Sequence, residues 1–332
     1  MTAVNGASGS PGLNLVRFDS ATPGTVVTIG AFSGLTAGQA VRAIDFRPAN
    51  GELFALAHNT TTGAAQIYKV SLTTASLIPV GAIFTVGTGT RLSMNFNPIA
   101  DRIRVVQGLG TPNNFRVNPN DGTLITDTSL AFDAGDAQAG NTSATICSIA
   151  YTNNYLGATS TTLYAWDYAS DGLLTIGGIG GVPSPNSGIM RTVSLPPALL
   201  GYNAGIGFDI SGATGVAYTA HDVSPGTVSN LYTRNLATGV EILIGAFPAG
   251  TFITDISVQV SFNPGACCNP RNGTCTLIVA SACRTLGLTA GAADSTCAAL
   301  PCHACPADFN LSGGLEVQDI FDFLNAWLAG CP

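Results

Sequence analysis

The densest run of side chains able to do chemistry lies near the C-terminal end: Asp308-Phe-Asn310-Leu-Ser312-Gly313-Gly314-Leu315-Glu316-Val-Gln-Asp319. A calcium loop needs oxygen ligands at positions 1, 3, 5, 7 and 12, with Gly at 6 for the sharp turn. Asp308, Asn310 and Ser312 fill the first three, the Gly314 carbonyl the fourth and Asp319 the last. Calcium takes such a set because its bonds to hard oxygens are ionic and its shell is large and adaptable. Ser312 removes one formal charge relative to Asp, and Glu316 at position 9 can restore it directly or through water. The plainer alternative is a polar turn before a helix, with Asp319 as a first-turn acid.

Cysteines are the second signal. Eight of the nine, Cys267, Cys268, Cys275, Cys283, Cys297, Cys302, Cys305 and Cys331, crowd into the last part of the chain. That density means disulfides or metal, and disulfides require an oxidising compartment. Zinc is poorly served, because the one CxxC, Cys302 to Cys305, has only His303 inside it. The expectation is three bridges within Cys267–Cys302, connectivity open, plus one from Cys305 to Cys331. Cys147 stands alone in an apolar strand and reads as a buried free thiol.

Elsewhere the candidates are sparser. Arg102, Arg104 and Arg116 concentrate positive charge and form a possible ligand surface for a carboxylate or uronic acid. The alternative is a salt-bridged set with Asp101 or Asp121. Asp45, Asn95 and Asp209 recur between apolar neighbours. They either ring a channel that holds a cation or water, or hydrogen-bond backbone between repeats. His58 and His221 each end a strand, with no third metal ligand in view. Glu52 and Glu241 lie on different strand types, which argues against a paired-carboxylate glycosidase. No Gly-x-Ser-x-Gly elbow and no P-loop occur. No catalytic residue and no organic cofactor site emerges.

The elements that must position these residues repeat. A first strand carries the acid or amide: Ile44-Asp45-Phe46, Met94-Asn95-Phe96, Phe208-Asp209-Ile210. A second follows a turn (52–56, 102–106, 216–219), then a third with an early aromatic (67–70, 115–117, 231–234), then a fourth (77–81, 241–245). A period of about 45–60 residues fits four-stranded propeller blades. At the ends, 13–19 and 25–30 read as third and fourth strands without a first or second, and 253–260 reads as a lone first strand. Strands from both termini would then complete one blade and close about five blades in all. Six blades, or a pair of β-sandwiches, are the alternatives. The domain reading is a flexible lead over 1–12, an all-β propeller over 13–260, a cysteine-rich segment over 261–304 and a calcium loop with a helix over 305–332. In that helix Val317, Ile320, Phe321, Leu324, Trp327 and Leu328 share one face.

Composition narrows the partners. Of 332 residues, 46% are apolar and only 9% charged, far below the usual quarter. The net charge is −7 and the one lysine is Lys69, which argues against nucleic acid and against a polybasic membrane contact. No apolar run approaches a membrane span. The start lacks a signal sequence, so the cysteines imply a mature chain whose signal peptide has been removed.

Two resemblances add to this reading. Cys305-Pro-Ala-Asp-Phe-Asn with Val317-Gln-Asp-Ile-Phe-Asp-Phe-Leu-Asn-Ala-Trp-Leu-Ala-Gly-Cys331 resembles the Gly-Cys-ended dockerin-type tail of secreted planctomycete-like bacterial proteins. It departs in having one calcium loop and Val317-Gln318 at positions 10 and 11. The resemblance implies an extracellular protein with an attachment or sorting module. Asn97-Pro98, Asp101-Arg-Ile-Arg-Val105, Ala134-Gly-Asp-Ala137, Ala150-Tyr-Thr-Asn153 and Thr161-Thr-Leu-Tyr164 resemble a bacterial family of unknown function, number 4394 in that series. This implies a propeller-like secreted domain and supplies no activity for it. The expectation is thus a secreted or cell-surface, non-enzymatic binding or scaffold protein with calcium as its cofactor. A protein or glycan at the cell surface would be its partner. The alternatives are a polysaccharide hydrolase or lyase with Asp residues at the propeller mouth, and a self-associating envelope or fibre protein.

Overall fold

The computed structural model describes residues 1–6, 12–89, 91–108, 113–196, 205–222, 228–260, 265–269, 274–278, 283, 288–290, 297 and 317–328. The chain divides into two units, Met1–Val260 and Ser261–Pro332.

The larger unit is all β. Its strands alternate apolar residues with Thr, Ser and Asn, and Gly- and Asn-rich turns limit their length. Strands β1 (Thr2–Gly6), β2 (Gly12–Phe18) and β3 (Val26–Ala31) come first. Then follow β4 (Ala40–Phe46), β5 (Leu53–His58), β6 (Ala64–Val70) and β7 (Leu77–Thr85), antiparallel in chain order. A second meander of this kind is β8 (Leu92–Asn97), β9 (Arg102–Gln107), β10 (Asn114–Val117) and β11 (Leu124–Thr126). Next are β12 (Ala131–Phe132), β13 (Ile146–Tyr151), β14 (Leu163–Asp167), β15 (Gly172–Ile176) and β16 (Ile189–Ser194). Here β13 to β16 form the meander and β12 adds to β16 in parallel. The last full meander is β17 (Gly207–Ile210), β18 (Ala217–His221), β19 (Asn230–Arg234) and β20 (Glu241–Ala246), after which comes β21 (Phe252–Ser257).

Strand β21 pairs with β1, β1 with β2 and β2 with β3, so both ends of this unit share one four-strand set. The flexible lead expected over 1–12 is therefore corrected for Thr2–Gly6. Ala3 and Val4 are fully buried and hydrogen-bonded on both sides. The set thus has the second strand that the sequence reading left out.

The first strands of successive sets pack on one another. Strand β4 lies against β8, β8 against β13, β13 against β17, β17 against β21, and β21 against β4. The apolar side chains follow the same circuit. Phe54, Leu56 and Ile67 pack with Met94, Phe96 and Phe115, and Val106 packs with Ile149, Tyr151 and Leu174. Tyr164 and Leu173 meet Phe208 and Ile210. Val16 and Phe18 meet Leu231, Phe247 and Ile256, and Val4 and Leu15 meet Ile44 and Phe46. Each of these cores thus joins two neighbouring sets. The set that holds both ends is also tied to the next by one pairing, Gly12 with Val41, so that the core of Val4, Leu15, Ile44 and Phe46 lies within a single sheet. The sets also touch backbone to backbone at Gly81 and Gly122, both at positive φ, where a Cβ on Gly81 would lie 2.1 Å from the Asp121 carbonyl oxygen.

In the smaller unit, β22 (Gly265–Asn269), β23 (Thr274–Ile278) and β24 (Thr289–Ala290) form an antiparallel sheet in the order β23-β22-β24. Disulfides join Cys267 to Cys283 and Cys275 to Cys297. Cys268 is disulfide-bonded too. The expected Cys305–Cys331 bridge lies outside the described residues, as does Cys302. Helix α1 (Val317–Leu328) begins where the periodicity places it.

Candidate functional site

Neighbouring first strands do not share a hydrogen-bond ladder, so their inward N–H groups need other acceptors. Side chains supply them. Asp45 accepts from the Phe96 N–H at 2.7 Å, and Asn95 from that of Tyr151 at 2.8 Å. Asp209 accepts from Val258 at 2.6 Å, and Asp255 from Ile44 at 2.7 Å. Ser93 and Ser257 cap Ile149 and Phe46 in the same way. The Ser257 hydroxyl lies 2.9 Å from Asp45 and 3.4 Å from Asp209, and Asn95 donates to Asp209 at 3.4 Å. Of the two readings of the recurrent Asp and Asn, the hydrogen bonds realise the one that ties repeat to repeat. Asp255 and Ser257 belong to the same set and were missed. The signal for Asp255 was present, because it too stands before an apolar residue in a first strand.

These acids are buried to an unusual degree. Asp45 and Asp209 are 0% exposed and Asp255 5%. Desolvation disfavours their charged form. Burial, followed by the neighbouring Asp209 carboxylate, pushes Asp45 well above the usual carboxylate range. Asp209 is raised to about 6, chiefly by burial. Asp255 is raised well above normal for the same reason. Among the described residues no group of three or more His, Cys, Asp or Glu side chains could hold a metal ion.

The three arginines do meet. Arg104 and Arg116 stand opposite each other on β9 and β10. Their carboxylate partner is neither Asp101 nor Asp121, as the sequence suggested, but Asp127. Arg104 reaches it at 2.6 Å, and Arg116 grips it with two bonds of 2.7 and 2.8 Å. Asp101 is instead paired with Arg47, and Asp121 accepts from Asn118 and the Thr123 N–H. Proximity in sequence misled here, because the chain returns to the sheet edge at Asp127 only after β11. Burial works against the Asp127 charge, but the bonds from Arg116 and Arg104 prevail and hold its pKa below normal. Arg104 also binds the side-chain oxygens of Asn114 and Asn186. Beside this network is a pocket of about 80 Å³ lined in part by Arg102, Arg104, Arg116, Tyr151, Ser184 and Asn186.

The histidines end β5 and β18 as expected but do not share a site. Each is buried with its own partner. His58 Nε2 faces the Gly87 carbonyl at 3.0 Å. His221 Nε2 lies 3.0 Å from Glu241 and its ring stacks on Tyr232. Arg234 covers the Trp166 ring at 3.8 Å beside them. This His221, Glu241 and Arg234 cluster was not foreseen, since its members lie on three successive strands that only the ladder aligns. Glu52 pairs with Lys69 instead. Cys147 is a free thiol as expected, though half-buried and not fully buried, and desolvation of its sulfur pushes it up to about 12.

Of the calcium-loop residues, Asp308, Asn310, Ser312, Gly314 and Glu316 lie outside the described residues. Asp319 is buried in the first turn of α1, at 3% exposure. From the expected apolar face, Val317, Ile320, Phe321 and Leu324 are exposed.

A family model described as Domain of unknown function (DUF4394) matches residues 14–257. No curated protein matches the chain. Among solved structures, a GH74 xyloglucanase from Xanthomonas campestris is similar at 14% identity and a TM-score of 0.41, over 73% of this chain and 39% of that one. The chain thus spans well under half of that enzyme's length. A structure of a nidogen/laminin complex is similar at 7% identity and a TM-score of 0.44, over 78% and 99%. A putative 6-phosphogluconolactonase from Bacteroides uniformis gives 12% and 0.37, over 74% and 82%.

Proposed function

The chain belongs to the DUF4394 family, and from that premise we propose that residues 1–260 form a five-bladed β-propeller acting as a non-enzymatic extracellular binding module. The circuit in which β4, β8, β13, β17 and β21 pack each on the next and back to β4, with apolar cores between neighbouring sets, supports the propeller reading. One observation carries the binding role over the catalytic one. The acids that an Asp-based hydrolase would use at the centre, Asp45, Asp209 and Asp255, are buried and committed to backbone N–H groups of the next strand. A glycosidase needs two carboxyl groups about 5–10 Å apart facing the sugar, and these face neighbouring backbone. The disulfides Cys267–Cys283 and Cys275–Cys297 support placement outside the cytosol. A glycan-array screen of the full chain with calcium present should give retention of a surface glycan and no product. New reducing ends or unsaturated products after prolonged incubation would overturn the non-catalytic reading.

The tail is the attachment element in this reading. Asp308, Asn310, Ser312, the Gly314 carbonyl and Asp319 would hold one calcium ion, with Glu316 direct or through water. The buried carboxylate of Asp319 fits a last ligand, because a loop–helix calcium site takes that ligand from the start of the following helix. Calorimetry on the full chain should show one calcium site that Asp319→Ala abolishes. Undiminished binding by that variant would exclude the assignment.

A further inference from the structure

We propose that the arginine pocket binds a single carboxylate group, that of a uronic acid residue presented by a glycan. The proposal rests on the binding-module reading and names the ligand chemistry for it. The geometry begins with strand register. Arg102 and Arg104 are two residues apart on β9, and Arg116 is paired with Arg104 on β10, so all three leave the same face of the sheet. They face two acids. Asp127 is gripped by Arg104 and Arg116, and Asp121 lies within electrostatic range of Arg102. Asp101 is committed to Arg47. Three guanidiniums against two carboxylates leave one positive charge uncompensated, which a monoanion would neutralise.

Unused hydrogen-bond donors accompany that charge. The Tyr151 hydroxyl and Arg104 Nε are buried without a hydrogen-bond partner. Their residues are 0% and 2% exposed and both line the pocket. A buried donor left unpaired is costly, and two beside an uncompensated charge are accounted for by an oxygen ligand. The size limits what enters. About 80 Å³ admits a carboxylate with an atom or two and excludes a whole sugar ring. The ring must stay outside, near Arg116, whose side chain is 28% exposed. A planar carboxylate matches the guanidinium fork.

The test is calorimetry on the full-length protein with three disaccharides of one backbone. One ends in glucuronic acid, one has that acid reduced to the alcohol, and one carries a 6-O-sulfate there. The acid should bind at least about tenfold more tightly than the alcohol. Tyr151→Phe, which keeps the ring in its core, should weaken the acid about fivefold with melting unchanged or raised. Arg116→Gln should weaken it about tenfold. Equal binding of acid and alcohol, tighter binding of the sulfate, or no binding of the acid up to about 10 mM would overturn the carboxylate assignment. Acid binding untouched in both variants would move the site elsewhere while leaving a binding module. Cleavage of the disaccharide during titration would instead refute the module reading.

Discussion

Deletion of residues 1–6 is expected to abolish cooperative folding of the 1–260 unit. Strand β1 is not a terminal ornament. It lies between β21 and β2 and pairs with both, and the carbonyl of Met1 also accepts from the Phe18 N–H at 3.0 Å. Removing it strips hydrogen bonds from two strands, opens two edges to association and empties the space filled by Ala3 and Val4. Each lost bond contributes about 0.5–1.5 kcal/mol. Their sum with the lost burial is comparable with the whole stability of a domain, about 5–15 kcal/mol. Urea unfolding followed by fluorescence should lose its sigmoidal transition, and light scattering should report aggregation. A peptide of residues 1–11 added in trans should restore part of the transition. A deletion variant that melts like the parent and stays monomeric would contradict the central position of β1.

The second large effect is a stability contribution from the buried acids that falls as pH rises from about 4 through about 6. Asp209 is held at about 6 in the fold, above the ordinary carboxylate range, and burial raises Asp45 and Asp255 well above that range too. A carboxyl raised in this way keeps its proton in the folded state where the unfolded chain has released it. Stability then falls as pH climbs from the unfolded pKa to the folded one and is flat above it. For Asp209 alone the shift corresponds to about 3 kcal/mol. Other groups act in the opposite sense. Asp127 and Glu241 have lowered values, despite burial, because arginine and His221 hold their charge, and their stabilisation is lost on acidification below about pH 4. His58 is kept neutral mainly by burial and opposes the trend below its ordinary value. The variant Asp209→Asn isolates the central acid, since its side-chain oxygen can still accept from the Val258 N–H. The difference between parent and variant cancels the groups remote from Asp209, while Asp45 and Asp255, which its charge helps to raise, ionise more readily in the variant and reduce the difference. The variant should gain up to about 3 kcal/mol over the parent at pH 8 relative to pH 4. Equal pH slopes for the two, by chemical denaturation across that range, would show that Asp209 ionises freely in the fold.

Much of this arrangement was legible along the chain because it is local. The recurrence of an acid or amide between apolar residues marked Asp45, Asn95 and Asp209 as first-strand positions, and their backbone-binding role followed from the cost of burying an unpaired carboxylate. The half-repeats at 13–30 and 253–260 showed that the two ends belong together. The spacing of Val317, Ile320, Phe321 and Leu324 placed α1, since a helix is written in its own period. Cys147 was separable from the other cysteines by its apolar strand alone.

What the sequence did not carry was partner choice over long distance. Thr2–Gly6 is a strand because β21 and β2 flank it, and nothing in five small residues announces two such neighbours. Asp127 displaced Asp101 and Asp121 as the arginines' partner because the chain re-crosses the sheet edge after β11. His221 and Glu241 became a pair through the β18–β19–β20 ladder. Tyr151 was brought to the arginine pocket from β13, in another sheet. Side-chain period and turn chemistry act over a few residues and are written where they act. The meeting of charges from separate sheets depends on how the strand sets pack, and only the tertiary structure decided it.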